Sequence, residues 1–177
     1  MATMGNPRVD NKIRAAAQDD GANFRLAMRE FATGVAIVAA GEGEARNGCT
    51  ATAVTSLSIA PPSLIVCLNR RTTTLTTIRA AGAFSVNFLA AEHKELAERF
   101  AGMSGANGAA RFEGGEWEPL VTGAPVLAGA LAALDCRVDE ILERYTHAIV
   151  IGAVVGVRLT TSPAALLHWR SQFESLG

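Results

Sequence analysis

The chain has 177 residues, of which 49% are hydrophobic, and a formal net charge of −1 at pH 7. A chain of this length and apolar content predicts one compact domain rather than two. Its charged residues are interspersed without a basic cluster, which argues against a surface that binds nucleic acid or an anionic membrane. A small molecule or another protein is therefore the expected partner.

Processing signals and cysteine usage point to a reducing compartment. The longest apolar runs, such as 148–157, are too short to cross a bilayer, and residues 1–20 contain no apolar segment suited to a signal peptide. Cys49, Cys67 and Cys136 are odd in number and far apart in the chain. This spacing predicts small buried thiols rather than a disulfide framework or a zinc site. We therefore expect a cytoplasmic protein without a metal centre.

The first half of the chain predicts a helix followed by short strands. Residues 1–21 have the composition of a flexible polar tail, and the domain is expected over residues 22–177. Apolar residues recur at helical spacing over 22–32, which predicts a helix that leads into the domain. Short β-rich runs separated by Gly-Glu-Gly-Glu and Pro61-Pro62 then predict strands over 35–39, 48–55 and 64–68.

The second half alternates helices and strands. A helix over 72–81 is expected to stop at Gly82, and a helix over 92–100 has apolar residues on one face. The glycine-rich stretch 102–123 is expected to be a long irregular loop. Further strands are predicted over 84–89, 132–141 and 148–159, with a last short segment at 166–173. At least six strands against three short helices predict a mainly β barrel or sandwich.

Common catalytic and cofactor motifs are absent from the sequence. Gly41-Glu42-Gly43 lacks the third glycine of a dinucleotide fingerprint, and there is no Gly-Lys-Ser/Thr phosphate loop. No serine lies in a Gly-x-Ser-x-Gly elbow, and no pair of carboxylates is placed as an acid and base couple. If the protein is an enzyme, a bound cofactor is therefore expected to carry out the chemistry.

The stretch CTATAVTSLSIAPPSLIVCLNR, which starts at Cys49, carries many hydroxyl side chains ahead of an apolar run. Hydroxyls and backbone N–H groups beside a strand can hold a polar ring and a phosphate, although threonine also simply favours strands. The chain continues through Asn69-Arg70-Arg71-Thr72-Thr73-Thr74, where cations and hydroxyls meet the start of a predicted helix. This combination favours an anion site.

Several motifs in one order resemble the short-chain flavin reductases, the small component of two-component flavin-dependent monooxygenases. The resemblance runs from Phe24 to about Phe173. It rests on FATGVAIV, TATAVTSLSIAPPSLIVCLNR, FSVNFLAAEH, ERFAG, TGAPVLAGALAALDCRV, the pair Thr146-His147 and LLHWR. It implies a mainly β fold, a six-stranded antiparallel Greek-key split barrel that forms a homodimer, with flavin partly in the subunit interface.

The resemblance also implies site residues. The isoalloxazine ring and ribityl chain would be lined by Thr50, Ala51, Thr52, Ser56 and Leu57. The phosphate end would lie near Cys67, Asn69, Arg70, Thr73 and Thr74. Phe100 either borders the flavin or is a buried aromatic residue of the core.

Two further residues are implied to lie near the nicotinamide. His147 matches a family histidine that faces the nicotinamide and flavin, although Tyr145-Thr146 precede it where relatives often have Gly-Asp or Gly-Thr. Without the resemblance, a lone histidine at a strand start is more often a surface or core residue. Arg170 either approaches the substrate or flavin or is a solvated cation.

The implied activity is NADH-dependent reduction of freely exchanging FAD or FMN, with delivery of reduced flavin to a separate monooxygenase. Hydride transfer from the nicotinamide to the flavin needs stacked rings and hydrogen-bond donors rather than a strong base. The alternatives are a non-catalytic flavin-binding or haem-binding split barrel and an enzyme like pyridoxamine phosphate oxidase.

Overall fold

Antiparallel strands form most of the structure, a computed structural model that describes residues 21–161 and 164–177. The strands among the described residues are β1 Thr33–Gly34, β2 Ala36–Ala40, β3 Asn47–Ala51, β4 Val54–Ile59, β5 Pro62–Asn69, β6 Ala83–Phe88, β7 Trp117–Glu118, β8 Val126–Leu127, β9 Ala132–Arg144, β10 His147–Leu159, β11 Ala165–Trp169 and β12 Gln172–Leu176. The α-helices are α1 Ala22–Arg29, α2 Thr73–Ala81 and α3 Lys94–Phe100. The predicted mainly β class is thereby confirmed, and the predicted tail lies outside the described residues except for Gly21.

The main sheet has seven strands in the order β3-β2-β6-β9-β10-β5-β4, rather than the predicted six. The extra strand arises because the predicted strand 48–55 is interrupted at Thr52-Ala53 and continues as β4. The five other predicted strands of the sheet are present with shifted ends, as β2, β5, β6, β9 and β10. Strand β5 extends to Pro62 and β9 to Arg144, beyond the predicted bounds.

The two edge strands of this sheet, β3 and β4, are consecutive in the chain. A flat sheet of seven strands would separate its edges by about 29 Å at the usual strand spacing. The two linking residues Thr52 and Ala53 span at most about 11 Å even when extended. The sheet must therefore curl until its edges converge, and the Cys67 backbone N–H donates to the Ala53 carbonyl at 3.0 Å beside this junction. No β3–β4 ladder is present among the described strands, so a closed barrel is not observed.

Strand β2 divides the core because it is buried on both faces. Ala36, Val38 and Ala40 belong to the apolar cluster inside the curled sheet. Ile37 and Ala39 belong to a second cluster beneath α3 and the segment before β8. In that second cluster Phe100, Phe112 and Trp117 pack with ring centroids 4.9 to 5.6 Å apart.

The segment 102–123, which the sequence predicts to be an irregular loop, is partly ordered by regular structure. It contains a 3₁₀ helix at Gly108–Phe112, and β7 pairs with β8. The buried Asp135 carboxylate holds the end of this segment. It accepts hydrogen bonds from the backbone N–H groups of Val121 (2.7 Å) and Thr122 (2.8 Å) and from the Thr122 hydroxyl (2.5 Å). The regular structure of this segment, which the sequence did not predict, thus depends on contacts that are distant in sequence.

The C-terminal segment predicted at 166–173 is the hairpin β11–β12, which pairs with β1. Helix α1 matches the first part of the predicted helix 22–32 but buries none of its residues. Within the described part of the chain, no helix is both long and apolar enough to cross a membrane.

Candidate functional site

A largely apolar cleft lies at the junction between β3 and β4. Its volume is about 560 Å³. The walls are Phe31, Ala32, Thr33, Gly34, Thr52, Ala53, Val54, Thr55, Ile65, Cys67 and Phe88. Strand alternation explains the wall from β5, because Leu64, Val66 and Leu68 point into the core while Ile65 and Cys67 face the opposite way. We call this the junction cleft, and it contains two of the predicted flavin residues, Thr52 and Cys67.

A second cavity of about 400 Å³ adjoins the junction cleft, because Thr52 lines both. It lies between β3, α3 and the β11–β12 hairpin, and its wall includes Thr50, Lys94, Glu98 and Gln172. The Thr50 hydroxyl donates to the Ala97 carbonyl of α3 at 2.6 Å. Thr50 therefore joins the strand to the helix as well as lining the cavity.

The remaining predicted ring contacts, Ala51, Ser56 and Leu57, do not line the junction cleft. Ala51 is buried, with 8% exposure. Ser56 lines a neighbouring apolar groove of about 440 Å³ on β4. Leu57 lies at a β-bulge, where the register shifts between Ser56 and Ser58, and it is half exposed. The sequence does not indicate this bulge.

A cationic cavity of about 510 Å³ lies at the end of β5. It is lined by Asn69, Arg70, Arg71, Leu75, Thr76, Arg79, Glu143, Tyr145 and Thr146. We call it the arginine cavity. The Asn69 side-chain oxygen accepts from the Arg71 backbone N–H at 3.0 Å, which fixes the turn into α2. The Thr72 hydroxyl caps α2 by accepting from the Leu75 N–H at 3.3 Å.

The two threonines after Thr72 differ in what they contact. Thr74 is buried, and its hydroxyl donates to the Asn47 side-chain oxygen at 3.4 Å. Thr73 is exposed in the first turn of α2. Of the two hydroxyls predicted to hold a phosphate, the structure therefore presents that of Thr73 to solvent and that of Thr74 to the interior.

His147 begins β10 and lies directly opposite Asn69 of β5 in the strand register. The side chain is exposed, and its Nδ1 lies 2.8 Å from the Thr146 hydroxyl. This hydrogen bond orients the imidazole with Nε2 on the side away from Thr146. The structure thus brings His147, Asn69 and Arg70 together at one end of the sheet.

Phe100 and Arg170 have well-defined surroundings. Phe100 is buried, and a Cβ added at Gly48 would lie 2.6 Å from its ring, so Phe100 packs directly on the backbone of β3. This placement is that of a core aromatic residue. Arg170 forms an ion pair with Glu30 at 2.7 Å, and its guanidinium lies 4.4 Å from the centre of the Trp169 ring. It occupies the tip of the β11–β12 hairpin, beside the cavity that contains Thr50.

The three cysteines are free thiols. Burial, with a contribution from the Asp135 carboxylate, raises the pKa of Cys136 to about 12. Burial also raises the pKa of Cys49, against an opposing hydrogen bond with Thr74. Cys67 is half buried in the junction cleft. Across residues 21–161 and 164–177, no group of three His, Cys, Asp or Glu side chains could hold a metal ion.

The sequence gives no indication of two charged residues in the arginine cavity, Arg79 and Glu143. Their side chains form an ion pair at 2.7 Å although they are 64 residues apart in the chain. Only the pairing of β9, β10 and β5 and the packing of α2 bring them together. Lys94 and Glu98 of the adjoining cavity were likewise missed, because a charged residue on a helix is usually just solvated.

The arrangement suits a planar ligand with an anionic tail. Apolar walls and hydroxyl groups surround the junction cleft, and Cys67 and Asn69 lie on the same face of β5, which leads to the arginine cavity. The fold and site thus define a mainly β protein of the cofactor-binding class. The residues present fit a flavin, whose ring is flat and apolar on its faces and whose side chain ends in a phosphate.

Comparison with known proteins gives the family. A model described as the flavin reductase like domain matches residues 28–177. The chain is 38% identical over 160 residues to the protein of Agrobacterium fabrum named FMN reductase (NADH) RutF, covering 90% of this chain and 91% of that one. It is 35% identical over 153 residues to the 4-hydroxyphenylacetate 3-monooxygenase reductase component of Pseudomonas aeruginosa, covering 86% and 90%.

A solved structure is similar as well. The Streptomyces globisporus NADH:FAD oxidoreductase SgcE6 superposes with a TM-score of 0.82 at 26% identity, covering 94% of this chain and 97% of that one. SgcE6 has also been solved in complex with NAD and FAD fragments. This chain belongs to the flavin reductase like family. The resemblance inferred from its motifs and the predicted enzyme class, a flavin reductase, are confirmed.

Proposed function

We propose that this chain oxidises NADH, reduces freely exchanging FAD or FMN, and supplies reduced flavin to a separate monooxygenase. The observation that carries the proposal is the junction cleft, whose walls include part of β5, the strand that ends at Asn69 next to Arg70 and the arginine cavity. The names of the relatives support it, since they specify an NADH-dependent FMN reductase, a reductase component of a monooxygenase and an NADH:FAD oxidoreductase.

The residues of this chain would bind the flavin and orient the nicotinamide against it. When bound, the flavin supplies a ring that accepts hydride and passes the electrons on. In the proposal, Thr52 lies against the ring. Cys67 does so too, rather than at the phosphate end that the resemblance implies, because it lines the junction cleft. Thr50 fixes β3 to α3 beside the ribityl chain. Asn69, Arg70 and Thr73 receive the phosphate end. His147 lies opposite Asn69 in the strand register, and in the proposal it orients the nicotinamide.

The remaining predicted flavin contacts have different roles in this proposal. Ala51 and Thr74 are buried, and Phe100 packs in the core, so these residues shape the strand and helices behind the site. Ser56 and Leu57 lie beyond the junction on β4, where a second chain could bring them near the flavin. Arg170 is held by Glu30 and anchors the hairpin beside the second cavity.

Activity is expected to depend on added flavin and to favour NADH over NADPH. The flavin phosphate would occupy the cavity lined by Arg70, Arg71 and Arg79, so a 2′-phosphate would have to compete with it for the same arginines. The measurement is absorbance at 340 nm with and without FAD or FMN, for both nicotinamides. A strong preference for NADPH at saturating flavin contradicts the expected preference for NADH. Tightly held flavin without NADH oxidation contradicts the proposed reductase activity.

The proposed quaternary structure is a homodimer. Each chain would be a split barrel, in which the two edges of the sheet meet at the β3–β4 junction. Support comes from exposed apolar side chains, since Ile59 is 91% exposed, Leu159 77% and Phe31 63%. Ile59 and the exposed Val157 line the same apolar groove on β4, and a continuous apolar surface of this kind often marks a protein–protein interface. Light scattering at micromolar concentration should give the mass of two chains. A monomer mass in that experiment contradicts the proposal.

The proposed location is the cytoplasm. An enzyme that draws on NADH must work in the compartment that maintains this donor. The three cysteines are free thiols in the structure, as is usual in a reducing compartment.

A further inference from the structure

The carboxylate of Glu143 bridges two arginines at the mouth of the arginine cavity. Its Oε2 lies 2.5 Å from Nη2 of Arg70, and its Oε1 lies 2.7 Å from Nη2 of Arg79. The three side chains are 43 to 46% exposed, so these are surface ion pairs. Arg70 also donates from Nη1 to the Tyr145 carbonyl at 3.2 Å. Both arms of the Arg70 guanidinium are therefore engaged by the β9–β10 hairpin.

The arginine cavity contains more positive than negative charge. Arg70, Arg71 and Arg79 line it, and Glu143 is the carboxylate among its lining residues. A phosphate that enters the cavity would interact with all three guanidinium groups, and arginine is well suited to phosphate recognition. The phosphate and the Glu143 carboxylate would seek the same Nη2 of Arg70, because a guanidinium donates along fixed directions.

We infer that Glu143 is an affinity-setting residue, which competes with the flavin phosphate for Arg70 and keeps the flavin exchangeable. This inference rests on the proposed function and its placement of the phosphate at Asn69, Arg70 and Thr73. An exposed ion pair is weak, so a phosphate can displace the carboxylate rather than being excluded by it. The bound flavin would then be held less tightly than three arginines alone allow. A reductase that delivers its product to another protein needs such a limit.

The test is a Glu143→Gln variant, in which the amide keeps the shape of the side chain but no longer competes as an anion. FMN should bind about three- to ten-fold more tightly than to the native chain, the range expected for releasing one or two exposed ion pairs. The affinity for riboflavin, which lacks the phosphate, should stay within about two-fold. Fluorescence titration of oxidised flavin measures both. The expected result is therefore a change in the ratio of the dissociation constants for FMN and riboflavin.

Two further variants separate this role from a general effect of charge. Glu140→Gln removes the same charge from the same strand at an exposed position, and it should leave the FMN-to-riboflavin ratio unchanged. In an Arg70→Gln background, Glu143→Gln should give a clearly smaller gain in FMN affinity, because only the competition for Arg79 then remains. Thermal unfolding of each variant, at equal protein concentration, reports whether the fold is intact.

Several outcomes overturn the inference. Weaker or unchanged FMN binding in a folded Glu143→Gln variant does so, as does an equal gain for riboflavin, an equal gain in Glu140→Gln or an undiminished gain without Arg70. In each of these cases flavin-dependent NADH oxidation by the native chain still supports the proposed reductase. If the native chain neither binds flavin nor oxidises NADH, the proposed function and the inference fail together.

Discussion

Replacing His147 with alanine is expected to lower the rate of flavin reduction at saturating NADH by roughly one to two orders of magnitude, about 1.4 to 2.7 kcal/mol of transition-state stabilisation. The reason is positional. His147 starts β10 opposite Asn69, and its ring is oriented by the hydrogen bond with Thr146. Loss of the ring should misalign the hydride donor without emptying the flavin cleft. Flavin affinity should therefore change far less than the rate.

Stopped-flow reduction at saturating NADH, paired with a flavin titration, measures the two effects separately. Thr146→Val removes the partner of Nδ1 and keeps the imidazole, so a smaller loss of rate is expected. Arg144→Gln changes the strand neighbour of His147 and should keep the native rate. A native rate in His147→Ala would make this residue an ordinary strand-end histidine. A collapse of flavin affinity would make it a cofactor contact instead.

The fold was largely predictable because strand patterns are local. Alternation in β5 and the hydrophobic content of β2 are visible in the sequence, and so is the turn at Pro61-Pro62. The interruption at Thr52-Ala53 was not predictable in the same way. Neither glycine nor proline marks it, and the residues on both sides favour strands. This unmarked break created the seventh strand and the junction cleft.

The site was predictable only where a local pattern decides which way a side chain points. Thr74, Leu75 and Ile78 lie on the buried face of α2, so helical periodicity could have assigned Thr74 to the interior and Thr73 to solvent. The same spacing places Phe100 with Leu96 in the core. The Glu143 contacts depend instead on the register between distant strands.

One expected effect on stability arises where β10 crosses the interior of the sheet. Gly152 is buried opposite Leu64, and an added Cβ would lie 2.5 Å from Cζ of Phe84 and 3.1 Å from Cβ of Cys136. Phe84 is itself fully buried, so the ring has little room to move. Alanine usually stabilises a strand relative to glycine by about 0.5 to 1 kcal/mol. Here Gly152→Ala is expected to lower the free energy of unfolding by about 2 to 3 kcal/mol, because the core is overpacked.

Urea unfolding at one fixed protein concentration measures this effect and excludes a contribution from association. Gly34→Ala is the matched control, since no atom lies within 4 Å of its added Cβ, and its effect should stay within about 0.5 kcal/mol. If the clash with Phe84 is the cause, Phe84→Leu should make room. The double variant Gly152→Ala/Phe84→Leu should then be more stable than the sum of the single effects predicts, by at least about 1 kcal/mol. Additive effects would show that the Phe84 ring is not what excludes a side chain at position 152, and that the close contact with Cβ of Cys136 sets the limit instead.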